Sequence, residues 1–299
     1  MPSVTIFWDP IGLELDSLGS NRLLRITDGD TPYVSMSIRM LSVDTPEVHY
    51  PGNQRPSAHD DALGQLAQWI QQGKAPITDG LAQHLRPKLA TGTAGTLHEQ
   101  QGQQATAEFT RLLDDKLSRP GKTKRNLFLR AADEHFDQYG RVLAYVAPSY
   151  TAEERQTMSR AERATFNLLM VESGWAAPFP IYPSLPQHVD LVMLQEAAKD
   201  AHDNERGAWG DPNALTGYEF RMCVKLYKVT SKLVKGQKLS STERHGWIER
   251  FCADMTSRQI FYPQDYHKVA PYNRIFIWPK DVAQAVSKMN LLPGASAPV

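Results

Sequence analysis

Residues 28–47, DGDTPYVSMSIRMLSVDTPE, constrain the fold more than any other stretch of the chain. Asp28-Gly29-Asp30 is turn chemistry, because glycine accepts positive φ and the aspartates bond nearby backbone N–H groups. From Tyr33 to Val43 the pattern alternates. Tyr33, Ser35, Ser37 and Arg39 fall on one parity and Val34, Met36, Ile38 and Met40 on the other, as expected of a strand or a tight hairpin. Arg39 therefore turns away from the apolar face. Pro46 cannot donate to a sheet ladder, so the strand ends at Asp44-Thr45. Two acidic clusters, Asp28/Asp30 and Asp44/Glu47, then flank a single arginine, the outline of a metal site beside a phosphate clamp. Taken one at a time, the same residues also suit turn capping and a solvated surface charge.

The remainder of the 299 residues exceeds what one average domain needs, so one main core with substantial additions is expected. With 41% hydrophobic and 22% charged residues, neither wholesale disorder nor a fibrous protein fits. No run approaches the length of a membrane span, and the N-terminus lacks a basic segment followed by an apolar one, so a soluble, cytoplasmic chain is expected. Cys223 and Cys252 are too few for a disulfide framework and have no zinc-like spacing; two buried thiols are expected. The zero net charge hides an asymmetry: residues 221–299 hold 13 lysines and arginines against 5 acids, a net of +8. That basic third either binds a polyanion or docks on the acidic front of the chain.

Strands are expected at Val4 to Trp8 and Leu23 to Thr27. Residues 48–101 read as an insertion with helices near Ala62 to Gln72 and Leu81 to Leu89, followed by a Gly/Thr-rich linker around Thr91 to Thr96. A further helix is expected over Gln103 to Leu117. Leu127 to Leu129 and Val142 to Val146 are β-like around the DQYGR turn, Asp137 to Arg141. A capping box, Ser159 with Glu162, predicts a helix running to Gly174, and another helix spans Gln187 to Asn204. Beyond it, lysines at 225, 228, 232 and 235 recur at helical spacing. A second capping box, Ser240 with Glu243, precedes a helix carrying Trp247, Ile248, Phe251, Cys252 and Met255, and Asp281 to Leu291 forms the last helix. His49, His59, His84 and His98 in the insertion fit no metal template.

DGDT at 28–31, IRMLSVDTPE at 38–47, DQYGR at 137–141, FNLLMVESGWA at 166–176 and the GAW ending at Trp209 together resemble the staphylococcal nuclease (thermonuclease) family, in order and over about residues 22–210. The resemblance implies an α+β protein: an OB-fold five-stranded β-barrel with three helices, here with a helical insertion at 48–101 and a mixed, basic extension at 211–299. It implies a Ca²⁺-dependent endonuclease hydrolysing DNA and RNA, single strands favoured, by water attack at phosphorus to leave 3′-phosphates. Carried over by position, Asp30 and Asp44 would be carboxylate ligands of calcium and Thr45 would give its backbone carbonyl. Glu47 would orient or deprotonate the water, Arg39 and Arg141 would grip the phosphate, and Tyr139 and Tyr182 would line the nucleotide pocket.

Elementary chemistry asks for the same residue types. A hard dication takes oxygen ligands, two guanidiniums bond phosphate oxygens bidentately, and one carboxylate suffices to handle a water. Three departures stand out: nine residues from Asp30 to Arg39 are few for the family's hairpin, the first pocket tyrosine falls near Phe179 or Pro180, and residues 48–101 and 211–299 lie outside the resemblance. The rival readings are a catalytically inactive OB-fold module that only binds nucleic acid, and a scaffold whose basic C-terminal third holds another protein.

Overall fold

The structure is a computed structural model that describes residues 20–294, with backbone alone for 132–134; the segment expected as a strand at Val4 to Trp8 lies outside them. The chain begins with a hairpin, β1 (Arg22–Ile26) and β2 (Pro32–Ser35), closed across the Asp-Gly-Asp turn, where the Thr27 N–H donates to the Thr31 carbonyl at 3.2 Å. Every residue of both strands is exposed, and among the described residues they pair only with each other. The run from Tyr33 to Val43, expected as a strand or a tight hairpin, is divided among β2 and two further strands. β3 (Ile38–Met40) and β4 (Val43–Asp44) are separated by Ser42, whose φ of 59° lies in the left-handed region. That turn redirects the chain so that β4 leaves the sheet containing β3.

Both insertion helices form close to expectation, α1 over Asp60–Gln71 and α2 over Asp79–Leu89. α3 (Ala94–Leu117) is longer than the pattern predicted, because the Gly/Thr-rich segment expected as a linker supplies its first turn. Asp60 explains this: its Oδ1 accepts from the N–H groups of Gly95 (2.6 Å) and Thr96 (3.0 Å), capping α3 from a distant helix. β5 (Leu127–Phe136) and β6 (Val142–Pro148) are antiparallel, and β3 joins β6 in parallel with Arg39 opposite Leu143.

The Ser159–Glu162 capping box forms, yet it stabilises only a turn. Helix α5 (Phe166–Glu172) starts later, capped by Thr165, and is preceded by the short α4 (Ala152–Thr157). β7 (Ala177–Pro178) pairs with β4, and β8 (Ile181–Tyr182) leads to α6 (His188–Asp203). In the extension, α7 (Gly217–Val234) begins at a capping box of Thr216 and Glu219, and α8 covers only Ser241–His245. The helix expected to carry Phe251 and Cys252 is instead β9 (Phe251–Asp254). It sits between β10 (Gln259–Phe261) and β11 (Arg274–Ile277), and α9 (Val282–Met289) and β12 (Leu292–Pro293) finish the chain. Cys252 and Ala253 are both buried, as in a strand covered on its two faces.

Mixed helices and strands make this the α+β chain expected, but among the described residues the strands fall into four small sheets and no pairing closes them into a barrel. Two main cores result. One packs Val43, Leu112, Val146, Phe166, Met170 and Leu194, joining the β3–β6–β5 and β4–β7 sheets to α3, α5 and α6. The larger joins insertion to extension: Leu63, Leu66, Leu81 and Leu85 from α1 and α2 meet Phe220, Met222 and Leu226 of α7 and Phe276 of β11. Each side of that contact buries leucines and aromatics at about 1.5–3 kcal/mol per side chain, so the two segments depend on one another for stability. Trp69 and Tyr227 stack across the same contact, with ring centroids 5.4 Å apart. Cys223 and Cys252 are free and buried, as expected.

Candidate active site

Arg39, Asp44 and Glu47 come together because β3, the Ser42 turn and Pro46 fold back within nine residues. Two features fix that fold. Asn167 of α5 donates to the Leu41 carbonyl (2.8 Å) and accepts from the Val146 N–H (2.9 Å), while the Phe179 N–H donates to the Ser42 carbonyl (2.7 Å). Asp44 ends up 1% exposed. Its Oδ1 accepts from Arg39 Nη2 at 3.1 Å and from Arg221 Nη2 at 3.0 Å, and its Oδ2 lies 3.1 Å from the same Arg221 nitrogen. Arg221 Nη1 donates to Glu47 Oε1, so one guanidinium of α7 bridges both carboxylates.

These contacts set the charge states. Burial opposes ionisation of Asp44, but Arg221 and then Arg39 outweigh it and hold the carboxyl below its ordinary value. Burial pushes the Glu47 carboxyl up, an effect that Arg221 counters only in part and the charge of Asp44 reinforces. Burial works against the charge of Arg221 too, yet Asp44 and Glu47 raise its pKa above the ordinary value. The backbone beneath Glu47 is held by His98 of α3, which is 1% exposed. Its Nε2 accepts from the Glu47 N–H at 2.9 Å and its Nδ1 donates to the Leu215 carbonyl at 3.1 Å, which fixes the neutral tautomer; burial brings its pKa down to about 3. The ring stacks on Phe220 at 4.2 Å.

The other expected residues are placed differently. Arg141, just ahead of β6, shares the Arg39 side of the sheet, since it stands two residues before Leu143, the partner of Arg39. Its guanidinium is engaged by Asp137, 2.7 Å from Nε, and lies 5.5 Å from the Tyr139 ring centre. Tyr139 is 72% exposed. Tyr182, expected in the nucleotide pocket, is 7% exposed. It is buried in the core beneath β9 and β11, because β8 pairs with β11 and the extension covers that surface. Asp30, expected as a calcium ligand, is exposed on the β1–β2 hairpin, where it accepts from the Thr31 hydroxyl at 3.1 Å.

The calcium donors expected at Asp30, Asp44 and Thr45 therefore do not fit a hard dication as arranged. Both Asp44 oxygens are taken by guanidiniums, and Gly217 lies so close that a Cβ there would sit 2.5 Å from the Thr45 carbonyl oxygen and 2.6 Å from Asp44 Oδ2. Among the described residues, no three His, Cys, Asp or Glu side chains are grouped to hold a metal ion. A dication with six to eight oxygen ligands needs more than the approach left open here.

Sequence reasoning missed Arg221 and passed over His98. The Thr216/Glu219 capping box would have started α7 at Gly217 and put Arg221 in its second turn, but nothing local shows which acids it faces. A family model described as staphylococcal nuclease homologue matches residues 37–211, more than half of the chain, starting after the β1–β2 hairpin. A comparison with curated proteins gave no match. Among the described residues no helix is long and apolar enough to cross a membrane.

Proposed function

This chain belongs to the staphylococcal nuclease homologue family, whose domains are of nuclease type or bind nucleic acid, and on that footing we propose that it is a nuclease acting on DNA and RNA with little sequence preference. The observation that carries the reading is the convergence of Arg39, Asp44 and Glu47, a guanidinium and a carboxylate of raised pKa held side by side. Glu47 is the base. A carboxyl lifted by burial accepts a proton more readily near neutral pH than an ordinary one. Oε1 is committed to Arg221, and among the described residues Oε2 receives no hydrogen bond, which leaves it for a water.

In the proposed step Glu47 takes a proton from that water as its oxygen bonds to phosphorus. The bond from phosphorus to the 5′ oxygen breaks, the 5′ oxygen takes a proton from solvent, and the other product keeps a 3′-phosphate. Arg39 holds a non-bridging oxygen and spreads the charge that builds there, and Arg141 joins it once phosphate replaces Asp137 as its partner. Tyr139 stacks an unpaired base, so single strands are favoured. No calcium-dependent step enters, because the donors do not fit the ion as arranged.

The test is degradation of single-stranded DNA and RNA by the full chain in Ca²⁺, Mg²⁺, Mn²⁺ and EDTA, with product ends identified by phosphatase sensitivity. Cleavage leaving 3′-phosphates, abolished in Glu47→Gln, is expected. The occupancy of both Asp44 oxygens by guanidiniums favours a second reading, a module that binds nucleic acid without cutting it; binding with no cleavage in any condition would establish that one instead.

A further inference from the structure

A nuclease-type site needs positive charge beside its carboxylates, and here that charge comes from the chain itself. Asp44 and Glu47 contribute two negative charges, and Arg39 and Arg221 two positive ones, within direct ion-pair contact. Arg221 is no loose surface group that settled into an empty site. α7 is fixed by its capping box, in which Glu219 receives the Thr216 N–H at 3.1 Å, and by the network around the buried Glu219 carboxylate, with His84 Nε2 at 2.8 Å and the Tyr266 hydroxyl at 3.1 Å. Phe220, Met222, Cys223 and Val224 around Arg221 are all buried in the larger core. The absent side chain of Gly217 lets the first turn of α7 sit directly on Thr45 and Asp44, where its N-terminal dipole adds to the positive field. Moving Arg221 away by shifting the helix would mean opening that core.

We infer that Arg221 is a built-in cation: it occupies the place beside Asp44 and Glu47 where a divalent metal ion would bind, so the site is charge-balanced and bridged without one. The inference concerns cation occupancy and rests on the nuclease reading only for its consequence, that catalysis is independent of divalent metal. Arg221 is a positioning residue here. Its fork ties Glu47 to Asp44 and so sets the direction of the free Glu47 oxygen, a geometry that a fixed planar group provides and a mobile ion does not.

The test is calcium binding to the full chain by titration calorimetry, with polyanion binding followed by anisotropy of a labelled single-stranded oligonucleotide. Wild type is expected to show no calcium binding that Asp44→Asn removes, and oligonucleotide affinity should change less than twofold between EDTA and millimolar Ca²⁺. Arg221→Ala should gain calcium binding at least tenfold over wild type, and Asp44→Asn in that background should abolish the gain. Arg221→Lys, which keeps one charge without the fork, should stay calcium-insensitive while any cleavage rate falls at unchanged KM. Calcium binding by wild type that Asp44→Asn weakens tenfold would overturn the inference, and this arm needs no folded Arg221 variant. Absence of cleavage in every condition would defeat the nuclease reading while leaving the binding result decisive for Arg221.

Discussion

Replacing His98 by glutamine tests how the insertion holds the site. The imidazole is buried with its Nε2 lone pair on the Glu47 N–H and its Nδ1–H on the Leu215 carbonyl, so only the neutral ring satisfies both. At pH 7 the variant should lose about 2 kcal/mol, the usual cost of disturbing hydrogen bonds to buried groups. Acid changes the comparison. With the folded pKa down to about 3 against an ordinary 6.5, the unfolded chain binds a proton in this window that the native state refuses. Stability due to His98 is therefore present above pH 6.5 and lost as pH falls toward 3, by about 1.4 kcal/mol per pH unit. By pH 5 wild type has given up about 2 kcal/mol that the glutamine variant never had, so the two should become equally stable near pH 5 and cross below it. Urea denaturation of both proteins at half-unit steps from pH 7 to pH 4 measures the crossing. Parallel stability curves, or an NMR titration of the His98 ring with a midpoint near 6.5, would show that His98 is not held neutral by these two bonds.

Other outcomes follow from the same geometry. Gly217→Ala should cost about 1–3 kcal/mol, since its Cβ would meet the Thr45 carbonyl oxygen at 2.5 Å; an unchanged melting temperature would remove the close approach from the argument. Arg39→Ala should lower the cleavage rate by about 10²–10³-fold, and Glu47→Gln should lower it as far with circular dichroism unchanged; near wild-type rates in either would strip that residue of its role. Ending the chain at residue 210 should leave α1 and α2 without α7 and β11, and the product should be insoluble or lack cooperative melting. A cooperatively folded fragment would show that the larger core is dispensable.

The local part of the site was legible because its residues are close in sequence. A strand, a stop at Pro46 and nine residues of chain suffice to gather Arg39, Asp44 and Glu47, and the DQYGR turn places Arg141 on the same side of the sheet. Amphipathic periodicity likewise fixed α1, α2 and α6, since a helix reports its buried face every three to four residues. Where burial is two-sided the pattern misled: β9 was expected as helix because apolar letters on both faces carry no strand period. The Ser159–Glu162 box formed its bonds without a helix to follow, for caps contribute only about 1 kcal/mol and Thr165 caps the segment that does pack.

What the sequence could not contain was the partner of each distant group. Asp30 lies near Arg39 along the chain yet remains on an exposed hairpin, whose strands pair with no third strand among the described residues. Arg221, 177 positions from Asp44, reaches it because the leucines of α1 and α2 and the aromatics of α7 bury one another and carry the guanidinium in with them. Local sequence supplies the carboxylates and arginines and the turn that gathers three of them. Only tertiary packing decided which cation stands against those carboxylates, because that choice depends on which helix the hydrophobic core brings to their side.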